Sequence, residues 1–334
     1  MDKQTLYLCH LPYPESSRWF PGDQYLRRIA RKALEPFRGR PPGGLTKVTA
    51  NLILGLKKLG IPYRLCTNLS EIPENELVGL LHGPLDLCKQ IAERNPCITG
   101  PGILNGSREW PDLFSRSKAI FHIQNCEWAA AMYRPQYGDK IRIWAMGVDE
   151  ERYRPQETTA EYDFLIYDKI RWPNSPEYSG LLESCKQKIQ EAGCSALSIR
   201  YGKYPGGKES SYHSMLRRCR AMLYLSENET QGFAYNEALS MNVPILAWNF
   251  GTWCDPMRHQ LKMEKAPATS IPYWDERCGL DFQGIGDLPG ILELFLEKLK
   301  THAFAPRDYV LEHLRIDQGA KRYLELYDEA RSLL

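Results

Sequence analysis

Short apolar runs of strand length alternate along this chain with amphipathic stretches of helical spacing. In the first half, Thr5–His10, Tyr63–Cys66, Val78–His82, Pro96–Thr99, Ala119–Gln124 and Lys140–Met146 predict strands. Helices are predicted between them over Leu45–Leu59, Leu85–Glu93, Arg108–Phe114 and Glu127–Tyr133. The alternation restarts with a strand at Asp163–Tyr167, a helix over 176–192, a strand Leu197–Tyr201 and a helix over 209–220. Ala221–Leu225 and Pro244–Trp248 predict two more strands, joined by a helix that opens near Gly232 and stops at Met241-Asn242. Two terminal helices follow, over 287–300 and 307–333. Such alternation predicts an α/β fold with parallel sheets, and 334 residues suit two domains of ordinary size. The polar, Pro-containing stretch 150–161 reads as the linker, which divides the chain into domains at 1–150 and 163–306, a linker at 151–162 and terminal helices at 307–334.

The chemistry concentrates where the second half turns from strand to helix. Parallel sheets place their ligands at strand C-terminal ends, and Glu229 follows such an end, while Glu237 lies within the helix beyond it. Gly232 lets a ligand approach the backbone, and the helix start offers free N–H groups to an anion. Two carboxylates that accept hydroxyl hydrogen bonds, flanking an anion-binding helix end, suit a nucleotide sugar. Lys169 and Arg171, just after the strand Asp163–Tyr167, are cations placed for a diphosphate; two solvated loop cations are the plainer alternative.

The segment Glu229-Thr-Gln-Gly232-Phe-Ala-Tyr-Asn-Glu237-Ala238, followed by Asn242-Val243-Pro244-Ile245, resembles the E-x7-E signature of the group 1, family 4 type glycosyltransferases. Gln231 stands where that family has an aromatic residue, and Asn242 where it has Gly. Gly147-Val148-Asp149 with Tyr153-Arg154-Pro155 is similar to the family's interdomain segment, and Gly43-Gly44, opening a long helix, to its donor-facing glycine loop. The motifs cover about residues 43–60 and 140–251. The resemblance implies a GT-B architecture, two Rossmann-like domains facing across a cleft, with the last helix returning to the first domain. It implies that Glu229 meets the donor sugar and phosphate side, with Thr230, Gly232 and Phe233 around it, and that Glu237 meets the ribose hydroxyls. The loop from Tyr201 and Gly202 onward takes the place that holds the donor's base, where Tyr201 or Tyr204 would stack or simply pack. His82, Gly102 and His122 near the strand ends of the first half are candidates for the acceptor side, although a strand-end His is more often a local hydrogen-bond partner. The implied reaction is transfer from a nucleoside diphosphate sugar to a glycan, lipid-linked or other hydroxyl acceptor, with retention of configuration and without a metal or other cofactor. Alternatives are a sugar-nucleotide epimerase on the same fold and a catalytically silent nucleotide-sugar-binding scaffold.

Composition narrows the setting. With 43 Lys and Arg against 41 Asp and Glu, the chain has a formal charge of +2 and no electrostatic case for a nucleic-acid partner. Ten Cys without C-x-x-C pairs, and no apolar run of membrane-spanning length, lead us to expect a cytoplasmic protein with reduced thiols. A basic helix over 23–37, within the Arg-rich 18–40 region, is read either as a peripheral contact with anionic lipid or an anionic acceptor, or as an ordinary solvated face.

Overall fold

The computed structural model describes residues 5–13, 44–156, 159–205, 209–263 and 265–334. The basic helix expected over 23–37, Gly43 and the end of the 201–207 loop lie outside these residues. The first unit runs β1 (Leu6–His10), α1 (Gly44–Lys58), β2 (Tyr63–Cys66), β3 (Val78–His82), α2 (Leu85–Arg94), β4 (Cys97–Gly102), β5 (Ala119–Gln124), α3 (Glu127–Tyr137) and β6 (Ile141–Ile143). The second runs β7 (Tyr162–Asp168), α4 (Leu181–Glu191), β8 (Ala196–Arg200), α5 (Glu209–Leu216), β9 (Cys219–Leu225), α6 (Phe233–Ser240), β10 (Ile245–Trp248), α7 (Met257–Leu261), β11 (Gly279–Phe282) and α8 (Leu288–Lys300). Two helices close the chain, α9 (Pro306–His313) and α10 (Ile316–Ser332).

Both sheets are parallel throughout, ordered β2-β1-β3-β4-β5-β6 and β11-β10-β9-β7-β8. Helices cover both faces of each, which is why the strands are continuous apolar runs rather than alternating ones. In β7, Phe164 and Ile166 pack under α4 and α8, while Leu165 and Tyr167 face α5 and α6. Residues of α10 (Tyr323, Leu326, Tyr327) pack with Val48, Leu52 and Leu56 of α1 over Leu8 and Ile98 of the first sheet. No helix among the described residues is long and apolar enough to cross a membrane.

Two expectations fail here. Arg108–Phe114 is not a helix: a single 3₁₀ turn at Ser107–Glu109 is followed by turns, because Pro111 lacks an N–H and pushes Trp110 away from helical geometry. The continuous helix over 307–333 is broken at Leu314-Arg315, where the Leu314 carbonyl accepts the Val148 N–H at 2.8 Å and Arg315 bridges Val148. That break lies against Gly147. A Cβ on Gly147 would press into the Arg315 carbonyl and the Ile316 backbone. Gly147→Ala is therefore expected to destabilise by about 1–3 kcal/mol, seen as a lower urea midpoint at unchanged slope; an unmoved midpoint would mean this junction yields freely.

Candidate active site

In the second sheet the chain leaves the β7–β9 pair in opposite directions, so a crevice opens at the C-terminal ends of those two strands. The loop after β7 carries Lys169 and Arg171; the loop after β9 carries Glu227, Glu229 and Thr230. Glu229 is buried, 6% exposed. Its Oε1 accepts hydrogen bonds from Tyr224 Oη at 3.0 Å and Ser226 Oγ at 2.8 Å, and lies 2.5 Å from Lys169 Nζ and 3.7 Å from Arg171 Nη2. Burial pushes the Glu229 carboxyl up, but the charges of Lys169 and Arg171 outweigh it and hold the group below the ordinary range. Lys169 is lowered as well, because burial depresses its ammonium more than the Glu229 charge raises it. The ammonium also lies 4.9 Å from the centre of the Tyr201 ring.

Beneath the cation loop, Glu227 accepts the backbone N–H of Arg171 at 2.8 Å and of Trp172 at 3.0 Å. Its second oxygen is buried and takes no hydrogen bond within the described residues, and burial raises this carboxyl above its ordinary value. Glu227 therefore fixes the backbone that presents Arg171. Gly232 adopts φ +67°, and a Cβ there would run into the Tyr235 ring, so the turn into α6 requires glycine twice over. Phe233, at the start of α6, packs against the first sheet's cluster, and Gly44 opens α1.

Two expectations change, for Glu237 and His122, and the choice between Tyr201 and Tyr204 narrows. Glu237 is not open to a ribose. It is 1% exposed, with Lys47 of α1 on Oε1 and His213 Nε2 2.8 Å from Oε2. Burial raises this carboxyl, and Lys47 with His213 lowers it further than burial raises it. Tyr204 is buried against Tyr167, hydroxyl to hydroxyl at 2.9 Å, which leaves Tyr201, 49% exposed beside Gly202 with φ +75°, as the aromatic available to a base.

His122, expected on the acceptor side, is buried within the first unit. The Thr99 hydroxyl donates to the Phe121 carbonyl at 3.3 Å and so accepts from His122 Nδ1 at 2.9 Å; this leaves Nε2 to accept from the Gln124 amide at 2.9 Å. Burial pushes His122 down to about 3, so the ring is neutral and acts by orienting Gln124. His82 Nδ1 lies 3.0 Å from the Gly102 carbonyl, with His10 and Tyr13 against its ring.

The two units touch directly at the site. Trp128 of α3 donates its indole N–H to the Glu229 carbonyl at 2.8 Å, Tyr273 reaches the Asn125 carbonyl, and the Gln231 amide both accepts from and donates to the Met146 backbone. Between them lies a cavity of about 330 Å³, walled by Gly102, Gln124, Asn125 and Trp128 on one side and Asn228, Thr230 and Asp255 on the other. Among the described residues no three His, Cys, Asp or Glu side chains are grouped as around a metal ion. Lys47, His213, Trp128 and Asp255 carry no motif; only the place of Lys47 in the first turn of a glycine-opened helix could have marked it.

No family model matches the chain, and no curated protein does. Solved structures do match. The S. aureus TarM complex with Fondaparinux, alpha-GlcNAc-glycerol and UDP is 12% identical, over 83% of this chain and 58% of that one, with a TM-score of 0.55. The lipopolysaccharide outer core galactosyltransferase WaaB, in its apo form, is 13% identical over 87% and 96%, at 0.51. The pneumococcal O-GlcNAc transferase GtfA, in complex with UDP and GlcNAc, is 9% identical over 78% and 58%, at 0.51. The chain thus spans somewhat over half the length of TarM and GtfA and nearly all of WaaB. It shares their fold, the GT-B arrangement of two α/β units.

Proposed function

We propose that this protein transfers a glycosyl group from a nucleoside diphosphate sugar to a hydroxyl acceptor, with retention of configuration and without a metal ion. One observation carries the reading: two cations and a carboxylate, Lys169, Arg171 and Glu229, converge at the switch-point crevice of the second sheet, facing the first. The developing charge on the departing diphosphate is met by Lys169 and Arg171, fixed in advance by Glu229 and by the Glu227-held loop, and by the N–H groups that open α6. Tyr201 is the surface for the base. The leaving phosphate takes the acceptor's proton on the same face, so no carboxylate nucleophile is required. Glu237 serves as a strut between the units rather than as a ribose contact. An epimerase would need acid–base carboxylates and His residues in the cleft; buried His122, lowered to about 3, does not fit that role, and His82 Nδ1 is turned to the Gly102 carbonyl. The wider setting we propose is a cytoplasmic enzyme of glycan biosynthesis.

Thermal unfolding against UDP, GDP, dTDP, CDP and ADP, with EDTA present, tests this. A nucleoside diphosphate at about 100 times its dissociation constant stabilises the native state by roughly 2.7 kcal/mol. One base is expected to stand out. No shift with any of the five would count against a donor site here.

A further inference from the structure

The Glu229 loop separates two surfaces of opposite chemistry. On one side stand Lys169 and Arg171; on the other is the cavity between the units, whose lining includes no Lys, Arg or His among the described residues and one carboxylate, Asp255. The rest of that wall mixes aliphatic side chains such as Ile103 and Met132 with amides and aromatic rings, Gln124, Asn125, Asn228, Trp128 and Trp253 among them. Asn228 is 5% exposed, and its Oδ1 is buried without a hydrogen-bond partner among the described residues. A buried acceptor of this kind is unfavourable until a donor reaches it, and Asn228 belongs to the cavity lining. The indole N–H of Trp128 is already engaged by the Glu229 carbonyl, so what Trp128 offers the cavity is ring surface. The Gln124 amide is held in one orientation by His122, which fixes which of its groups remains for a ligand. At about 330 Å³ the cavity falls at the small end of the range for small-molecule sites.

We propose that the acceptor is an uncharged saccharide, bound in this cavity by amide hydrogen bonds and stacking on Trp128 or Trp253, with Asp255 both receiving its hydroxyls and rejecting anionic acceptors. The inference rests on the transferase reading and narrows it. Ring surface beside hydrogen-bonding amides matches a sugar's apolar face and its hydroxyl edge. A uronate or sugar phosphate would bring a second negative charge next to Asp255, with no cation among the described lining residues to meet it.

Saturation-transfer NMR on the full chain, saturated with the nucleoside diphosphate that stabilises it most, compares neutral methyl glycosides of hexoses and N-acetylhexosamines with glucuronate and glucose 6-phosphate. The expected result is binding of at least one neutral glycoside, with its charged counterpart at least about tenfold weaker. Asp255→Asn should shrink that gap while neutral binding is retained. Asn228→Ala should weaken the neutral glycoside about five- to tenfold. Anions binding as tightly as neutral sugars, an unchanged gap in Asp255→Asn, or no neutral glycoside binding would each overturn the proposal. A nucleoside diphosphate shift accompanied by such a negative leaves the transferase reading standing; saccharide binding without any diphosphate shift removes that reading and the acceptor role with it.

Discussion

Lys169→Met is expected to lower glycosyl transfer by about 10²- to 10³-fold, most of it in kcat, while the nucleoside diphosphate still binds. Lys169 is the more buried of the two cations at the crevice, and it does not have to be recruited during the reaction. Glu229 at 2.5 Å and the Tyr201 ring hold the ammonium in place, and burial has already stripped much of its water. A charge fixed this way stabilises the departing diphosphate with little reorganisation, which is where a preorganised cation has most effect. The substitution also leaves Glu229 buried with only Arg171 in attendance, and breaking a buried pair from one side costs about 3–5 kcal/mol. Lost turnover could then be mistaken for lost folding. Lys169→Met/Glu229→Gln separates the two: it should recover much of the melting temperature and none of the turnover. Lys186→Met, which removes an exposed helix pair with Glu183, serves as the unaffected control. Turnover in Lys169→Met within about threefold of the parent would remove Lys169 from the site.

The parts of this arrangement that were legible in the sequence are those encoded locally. Fully apolar runs such as Leu223–Leu225 announced strands covered on both faces, and a charged residue directly after such a run had to sit at a strand end; Lys169 and Glu229 were found this way. That both would fall at the same crevice followed from parallel topology rather than from their separation along the chain. What escaped was set by tertiary contact. The strand Gly279–Phe282 is four residues at a sheet edge, with Gly279 at φ +146° where a Cβ would collide with the Ile245 carbonyl, and only its register with β10 marks it as a strand. Nothing in Leu314-Arg315 breaks a helix locally, since neither is Gly or Pro; Val148 does so from 166 residues away by capturing the Leu314 carbonyl. His122 had the right place on its strand for a ligand but points into the packing between Tyr133 and Tyr137. Glu237 had the spacing expected of a ribose contact, and its spacing could not show that a lysine from the first helix would already occupy it.

Lys47→Met should therefore be among the most destabilising single changes in the protein, at about 3–5 kcal/mol, although Lys47 follows no motif and lies far from Lys169 in sequence. Lys47 is 8% exposed and inserts between the Phe233 and Tyr153 rings to reach Glu237, so the pair joins α1 to α6 across the interface of the two units. The variant strands a carboxylate that is 1% exposed. Lys47→Met/Glu237→Gln should regain most of the loss, because the buried charge goes with the partner that compensated it. The pH dependence has a definite sign. In the parent the folded Glu237 carboxyl lies below its unfolded value, so its contribution is fully present above the unfolded carboxyl pKa of about 4.3 and is lost as pH falls through the folded pKa. In Lys47→Met, burial, the largest influence on the group, is opposed by His213 without Lys47, and the folded carboxyl is expected to rise above the unfolded value. The penalty is then full at neutral pH and is relieved on acidification, so stability should increase from pH 7 towards pH 5, by up to about 1.4 kcal/mol per pH unit for one proton taken up. Urea midpoints of parent and variant measured at both pH values settle it: a variant whose stability falls or stays flat over that interval would show that Lys47 is not what keeps Glu237 ionised, and that the contact between α1 and α6 owes its stability to the aromatic rings instead.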